Sequence, residues 1–490
     1  MRYAALMLAI FCLATVAAGA ENPKKLLIVT TDRIVQESQQ LSAFVIEKER
    51  RGYAPFVATE TNYGGGDLTG DAKAQLIRTW LGSNAVGYTH ILLIGDPHPE
   101  HGGIPMVVTR PLHEYPETST GATPTNVPVD TDMLYVNVTG DWDLNGNGIY
   151  GERGDDDGDG GIDFTPDFIV GRIPAYDGDS AGLDRILALT LKYQNMTAAE
   201  RGYRTTLLFP AGFYFFRGMM GLTADWDSAG LGEWALNTFL KERNDLTPVT
   251  LYEQEGVQAS TYPSSRPLNR DELLAAWHAG TGIVFWGGHT FSNRILRLVW
   301  ANDSNGDDQA TQSETTMPVL FHADDAVLLS GTQPGFLVSP NCNAGIVSTP
   351  DGLTYTLLQY AVVGVMAATE AATPAAMNWD CYDCPFDETA FGSDTAGIAV
   401  LRALVDGTAP AAALLTAKRE TGSDASALTY ANKMMFNWYG DPTLTLATGS
   451  EERLPDTDQT PDDDAFSPDP ETIPDDTAPR HDDGGCALKL

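Results

Sequence analysis

Residues 282–289 read GIVFWGGH and residues 335–345 read GFLVSPNCNAG, and these two stretches indicate the fold. Each is an apolar run of strand length that leads into a turn, and a reactive side chain follows the strand. The reactive side chains are His289 and Cys342. Ligands of an open parallel sheet bind beyond the carboxyl ends of its strands. Two neighbouring strands of this kind would place His289 and Cys342 side by side there.

A cysteine beside a histidine has the chemistry of a nucleophile and its base. A thiol attacks a carbonyl as thiolate, and an imidazole nearby promotes that state. Glycine-rich turns leave backbone N–H groups accessible to the oxyanion that forms. The alternative is that Cys342 is a small buried apolar residue and His289 a hydrogen-bonded core residue. The repeated order of strand, turn and reactive residue favours catalysis.

Three further segments accompany the two stretches: residues 91–96 (ILLIGD), 166–174 (PDFIVGRIP) and 436–444 (FNWYGDPTL). By these motifs and their order along the chain, the sequence resembles the gingipain-type cysteine peptidases, relatives of the caspases, over roughly residues 24–446. The resemblance implies an α/β fold, a caspase-like α/β/α sandwich with a mostly parallel sheet and two adjoining subdomains. It also implies a secreted cysteine endopeptidase that acts on proteins or peptides.

The same resemblance assigns roles to individual residues. Cys342 would be the nucleophile, and His289 the general base and acid. The oxyanion hole would use the N–H of Cys342 and a second N–H near Gly288 or Thr290. The family has Gly directly after the His, whereas this chain has Thr290. The candidates for a third, orienting carboxylate are Asp225 and Asp227.

Two other functions fit the same residues. The first is a catalytically silent relative, that is, a calcium-binding protein of the cell surface or associated with secretion. A transpeptidase or sorting enzyme would form the same thioester but pass it to an amine.

Alternating apolar runs and amphipathic segments predict a parallel sheet covered on both faces. We expect an N-terminal α/β subdomain over residues 21–200 and a catalytic caspase-like subdomain over residues 201–448. The predicted strands include 24–31, 53–59, 90–95, 205–210 and 364–369. The predicted helices are 36–51, 71–81, 180–200, 270–278, 353–363, 396–406 and 411–418.

Residues 141–152 read DWDLNGNGIYGE and match the pattern of a twelve-residue calcium loop. Such a loop places oxygen ligands at positions 1, 3, 5, 7 and 12 and a glycine at position 6. A less complete acidic run follows at 155–163, and a weaker one lies at 302–308. The alternative is a solvated acidic loop. The predicted ligands of a structural Ca²⁺ are Asp141, Asp143, Asn145, Glu152 and the carbonyl of Asn147.

The N-terminal segment predicts secretion, and the C-terminal segment predicts a solvated tail. Residues 1–20 form a signal peptide, with Arg2 before an apolar run and a cleavage site after Ala20. That run is too short for a transmembrane helix, so none is expected in the mature chain. Residues 449–490 carry thirteen acidic and three basic residues and predict a disordered, Pro-rich tail. We therefore expect a secreted or cell-surface protein.

The formal net charge of −36 argues against nucleic acid as a partner, because such a partner requires basic patches. The sequence makes no prediction of the oligomeric state. Cys381 and Cys384 flank two residues, as in a local disulfide, half of a metal site or a redox pair. Only one such pair exists and no His flanks it, which favours a local disulfide or two free thiols. Cys486 follows two glycines, as at the start of bacterial surface-sorting tails, but the apolar helix and basic end that complete such tails are missing, which favours an ordinary solvating tail.

Overall fold

A computed structural model describes residues 24–111, 127–331, 333–374, 391–420 and 427–448. The predictions for the signal peptide, for Cys381 and Cys384, and for the tail from 449 lie outside these residues. Within the described ranges, no helix is both long enough and apolar enough to cross a membrane.

Twenty strands and twelve α-helices alternate along the described chain. The strands are β1 Lys24–Val29, β2 Tyr53–Ala58, β3 His90–Gly95, β4 Val107–Thr109, β5 Val129–Thr131, β6 Ile169–Pro174, β7 Thr206–Ala211, β8 Phe213–Phe215, β9 Trp226–Asp227, β10 Thr247–Tyr252, β11 Arg266–Pro267, β12 Ile283–Phe285, β13 His289–Phe291, β14 Arg294–Leu296, β15 Val299–Trp300, β16 Thr315–Thr316, β17 Val319–His322, β18 Gly335–Val338, β19 Val362–Ala368 and β20 Phe436–Gly440. The helices are α1 Asp32–Glu37, α2 Leu41–Arg50, α3 Glu60–Tyr63, α4 Gly70–Asn84, α5 Met133–Val136, α6 Ser180–Asn195, α7 Ala229–Asn237, α8 Arg270–His278, α9 Leu353–Tyr360, α10 Ser393–Val405, α11 Pro410–Glu420 and α12 Ala427–Met435.

Eleven strands form one sheet in the order β11-β10-β7-β12-β18-β19-β20-β6-β3-β1-β2. Neighbouring strands run parallel except at β19 and β20, which pair antiparallel. The strands from β11 to β19 therefore point one way, and those from β20 to β2 point the other way. The carboxyl ends of β7, β12 and β18 meet at the same edge.

Helices cover both faces of this sheet. Alternate residues of β1 enter two separate apolar cores, Leu27 and Val29 on one face and Leu26 and Ile28 on the other. The first core takes side chains from α4, α7, α10, α11 and α12, and the second from α2, α6, α8 and α9. The predicted α/β/α sandwich with a mostly parallel sheet is thus confirmed.

Several element boundaries differ from the predicted ones. The predicted helix 36–51 is two helices, α1 and α2, because Ser38 ends the first in extended backbone. The predicted helix 353–363 ends at Tyr360, and β19 begins at Val362. The FNWYG segment forms β20 in the middle of the sheet, where no strand is predicted.

The PDFIVGRIP segment carries a buried ion pair beside β20. Arg172 donates three hydrogen bonds to the carboxylate of Asp132, at 3.1, 2.8 and 2.6 Å, and one to the carbonyl of Ile104 at 2.7 Å. Gly171 precedes it, and a Cβ there would lie 2.4 Å from the carbonyl oxygen of Gly440 on β20. The glycine allows the close approach, and the arginine joins β6 to the segment before α5.

We expect Asp132→Ala to lower the free energy of unfolding by about 3–5 kcal/mol, because it leaves the Arg172 charge buried without its partner. Urea denaturation followed by circular dichroism measures this loss. Asp245→Ala is the matched control, since Asp245 pairs with Arg243 on the surface with 53% of its side chain exposed. That variant should lose no more than about 1 kcal/mol. Equal, small losses in both variants would contradict the role of the buried pair.

Candidate active site

The strands that precede His289 and Cys342 are neighbours in the sheet. β12 and β18 pair in parallel, with Ile283 opposite Phe336 and Phe285 opposite Val338. Both strands are fully buried. The turn after each strand therefore leaves the sheet at the same edge, as predicted from the sequence.

His289 begins β13, which forms a small antiparallel sheet with β14 and β17. Its ring is buried, and the rings of Tyr214 and Phe215 meet it edge-on at 6.0 and 5.9 Å. The Nε2 atom lies 2.8 Å from the carbonyl oxygen of Tyr214. A carbonyl only accepts, so Nε2 carries the proton and Nδ1 holds the lone pair in the neutral ring. Burial lowers the pKa of His289, which keeps the ring neutral near pH 7.

Cys342 is partly exposed and is disulfide-bonded in this structure. It is the only cysteine among the described residues. Its Sγ atom lies 3.6 Å from the carbonyl oxygen of Ala372. The next residue, Asn343, is buried and has a positive φ of 58°, so the chain turns sharply after the sulfur.

The side chain of Asn341 joins the two turns. Its Nδ2 donates to the carbonyl of Trp286 at 2.7 Å, and its Oδ1 accepts from the N–H of Gly288 at 3.0 Å. The hydroxyl of Tyr214 also donates to Oδ1, at 2.9 Å. The residues directly before His289 and Cys342 are therefore hydrogen-bonded to each other.

The glycine pair before His289 is required by close packing. A Cβ on Gly287 would lie 2.7 Å from the Ser228 hydroxyl oxygen, and one on Gly288 would lie 2.7 Å from the Trp286 ring. Gly288 also has a φ of +146°. Its N–H already donates to Asn341, so it is not directed at a substrate carbonyl. The oxyanion role predicted for Gly288 would require that bond to be given up.

The two candidate carboxylates have other partners. Asp225 accepts from the guanidinium of Arg217 at 2.6 Å. Asp227 accepts from the hydroxyl of Ser260 and the N–H of Ala229, and burial raises its pKa to about 6. The ring of His289 donates its hydrogen bond to the backbone carbonyl of Tyr214 and not to either acid.

The predicted calcium ligands occupy one loop. Asn145 and Asn147 both donate to the same oxygen of Glu152, at 3.3 and 2.6 Å, so positions 5, 7 and 12 converge. Asp141 accepts from the N–H of Asp143. In the part of the chain that the structure describes, no group of three or more His, Cys, Asp or Glu side chains is arranged to hold a metal ion. The acids of this loop are therefore not gathered into a preformed cluster.

Tyr214 and Asn341 are site residues that the sequence reasoning missed. Asn341 stands beside Cys342, and Tyr214 follows β7, the other neighbour of β12. Ala211 at the end of β7 forms a bridge with Gly287. The rule that parallel strands end at one edge would have directed attention to residues after β7 as well.

Comparison with known proteins gives the following likenesses. The family model "Peptidase family C25" matches residues 19–447. The solved structure of the Arg specific cysteine proteinase gingipain R (RGPB) is similar with a TM-score of 0.55 and 14% identity, over 88% of this chain and 80% of that one. The complex of the Porphyromonas gingivalis RgpB pro- and mature domains gives 0.54 and 12%, over 87% and 80%. The comparison with curated proteins found no match.

Identities this low show the fold alone, but the family model spans most of the sequence. Its match contains β12, β18 and the turns that follow them, together with the closing strand β20. The chain belongs to peptidase family C25, the gingipain family of cysteine peptidases.

Proposed function

We propose that this protein is a secreted cysteine endopeptidase that hydrolyses peptide bonds through Cys342 and His289. The observation that carries the proposal is the pair of linked turns, in which Asn341 bonds to Gly288 and His289 bonds to Tyr214. This arrangement supports an imidazole of fixed tautomer in one turn and a cysteine in the turn of the neighbouring strand. Membership of a peptidase family supports protein or peptide substrates.

The reaction would begin with proton transfer from the reduced Cys342 thiol to Nδ1 of His289. The sulfur attacks the substrate carbonyl, and the imidazolium then gives its proton to the leaving amine. A thioester remains on Cys342. Water, activated by the neutral His289, attacks the thioester and releases the acid product and the thiol. The N–H of Cys342 is the oxyanion donor in this proposal, because that of Gly288 is engaged by Asn341.

Cys342→Ala and His289→Ala should each lower kcat/KM by at least about 1,000-fold, because the dyad residue that remains cannot complete the proton and acyl transfers alone. The assay is cleavage of a peptide library by the reduced protein. His278→Ala is the matched control, since His278 is exposed at the end of α8. Melting temperatures check that each variant is folded.

Cleavage at the wild-type rate by Cys342→Ala would rule out this dyad. A reduced wild-type protein that neither cleaves nor reacts with a peptide electrophile at Cys342 would instead be a silent relative. Product analysis with an added amine separates hydrolysis from transpeptidation, since a transpeptidase would give the amide product.

The disulfide at Cys342 predicts dependence on a reductant. A sulfur in a disulfide cannot attack a carbonyl, so protein purified without reductant should be inactive. Dithiothreitol breaks the bond by thiol–disulfide exchange, giving two protein thiols and oxidised dithiothreitol, and activity should appear. Activity that is equal before and after reduction, with Cys342 open to alkylation in the untreated protein, would contradict this prediction.

We also propose that the loop of residues 141–152 binds a structural calcium ion. Glu152 is 1% exposed and Asp156 is fully buried, and the N–H of Glu152 donates to the Asp156 carboxylate. Burial raises the pKa of Asp156. A buried carboxylate favours a cation, and the convergence of Asn145 and Asn147 on Glu152 supports the loop as its site.

Calcium should raise the melting temperature and a chelator should lower it, because the ion binds the folded state. The gain is about 2.7 kcal/mol at 100 times the Kd. Glu152→Gln keeps the shape of the side chain but removes its charge, and should make the melting temperature insensitive to calcium. Asp155→Ala, an exposed acid outside the ligand set, is the control. If neither chelator nor calcium changes the melting temperature of the wild-type protein, the loop is a solvated acidic loop that binds no calcium.

A further inference from the structure

Asn341 and Tyr214 form a polar unit that no motif of the sequence indicates. We propose that these two residues position the dyad, in place of a carboxylate that would orient the histidine. This inference rests on the proposed function. Neither residue touches the reacting atoms in the proposal; both act through the backbone turns and through the ring of His289.

Asn341 uses the full hydrogen-bonding capacity of its amide. Nδ2 donates to the Trp286 carbonyl at 2.7 Å and to the Ser339 hydroxyl at 3.2 Å. Oδ1 accepts from Gly288 and from the hydroxyl of Tyr214. The side chain is 2% exposed. A buried amide with every donor and acceptor satisfied is fixed in orientation.

The partners of Asn341 also determine which residue can stand there. A carbonyl can only accept and an N–H can only donate, so Nδ2 must face Trp286 and Oδ1 must face Gly288. An aspartate of the same shape would place a carboxylate oxygen against the Trp286 carbonyl. An alanine would leave the buried N–H of Gly288 and the carbonyl of Trp286 without this partner.

Tyr214 connects Asn341 to the histidine through its two ends. Its hydroxyl donates to Asn341 Oδ1, and its backbone carbonyl accepts the proton on Nε2 of His289. Its ring also packs edge-on against the imidazole. Burial raises the pKa of Tyr214, so the hydroxyl keeps its proton and remains a donor. Movement of Tyr214 would therefore move the carbonyl that selects the tautomer of His289.

The functional consequence is that Nδ1 of His289 stays unprotonated, as the proposed transfer of the thiol proton requires. If the Tyr214 carbonyl shifts, the ring can rotate or take the other tautomer, and the lone pair is lost from the position where the thiol proton must go. The defect would appear in proton transfer and not in substrate binding. We therefore expect kcat and the thiolate fraction of Cys342 to fall while KM stays within about twofold.

The test uses Tyr214→Phe, Asn341→Ala and the double variant, all reduced. Tyr214→Phe removes only the hydroxyl and keeps both the ring and the carbonyl. Tyr63→Phe is the matched control, because its buried hydroxyl donates to the Thr30 carbonyl at 2.8 Å, away from the dyad. Two readouts are taken: kcat and KM for a peptide, and the rate of alkylation of Cys342 by iodoacetamide against pH. Peptide mass spectrometry separates Cys342 from the other cysteines.

Tyr214→Phe should lower kcat by about 5- to 10-fold, the effect of one lost hydrogen bond on a rate. Asn341→Ala should lower it by about 100-fold. The double variant should be no worse than Asn341→Ala, because the hydroxyl acts through Asn341 and the losses are not additive. In each variant the alkylation profile of Cys342 should move to higher pH. Tyr63→Phe should lose a similar amount of stability but keep kcat and the profile.

Normal kcat and an unchanged alkylation profile in a folded Tyr214→Phe would overturn the positioning role. Fully additive losses in the double variant would overturn the route through Asn341. If Asn341→Ala does not fold, Asn341→Ser and Tyr214→Phe give the same comparison. If the alkylation profile of Cys342 is the same in the wild-type protein and in His289→Ala, the dyad itself is refuted. That outcome is distinct from failure of the positioning unit.

Discussion

The parallel pairing of β12 and β18 is the constraint on which the site depends. These strands are short, and their register is set by close backbone packing where each begins. A Cβ on Gly282 would lie 2.3 Å from the carbonyl oxygen of Arg204, and one on Gly335 would lie 2.3 Å from that of Thr281. A slip of one residue would move Asn341 by about 3.3 Å relative to Gly288 and reverse the faces of every side chain. The same register that fills both cores therefore holds the two turns together.

The buried strands could be predicted from the sequence because their chemistry is local. The runs LLIV in β1 and ILLI in β3 are apolar on both faces, as strands covered by helices must be. β20 could not be predicted this way, because Asn437 and the aromatic residues of FNWYG do not follow a regular pattern of apolar and polar positions. Asn437 is buried there because its amide bonds to the carbonyl of Met435 and its oxygen accepts from the N–H of Asp132. Such compensation depends on tertiary contacts that a sequence pattern does not contain.

Reactive side chains are easier to predict than the residues that position them. His289 and Cys342 stand out by their chemistry, whereas Asn341 and Tyr214 are common residues that matter only through partners distant in sequence. Tyr214 lies 75 residues before His289 and 127 before Asn341. Asp225 and Asp227 are the candidates for an orienting acid in the sequence, because carboxylates commonly orient catalytic histidines. In this fold the segment after β7 brings a backbone carbonyl to the ring instead.

A carbonyl and a carboxylate orient an imidazole equally well, but they differ in their effect on its charge. A buried carboxylate would stabilise the imidazolium and raise the pKa of the histidine. A carbonyl carries only a partial charge, so burial dominates and the pKa of His289 falls. In the proposed dyad, the lowered pKa of His289 favours a neutral imidazole before the reaction. The proton transfer that begins the proposed reaction would then depend more on the position of Nδ1 than on its basicity. A site of this kind depends on geometry, which is what a fully satisfied, buried asparagine between the two turns provides.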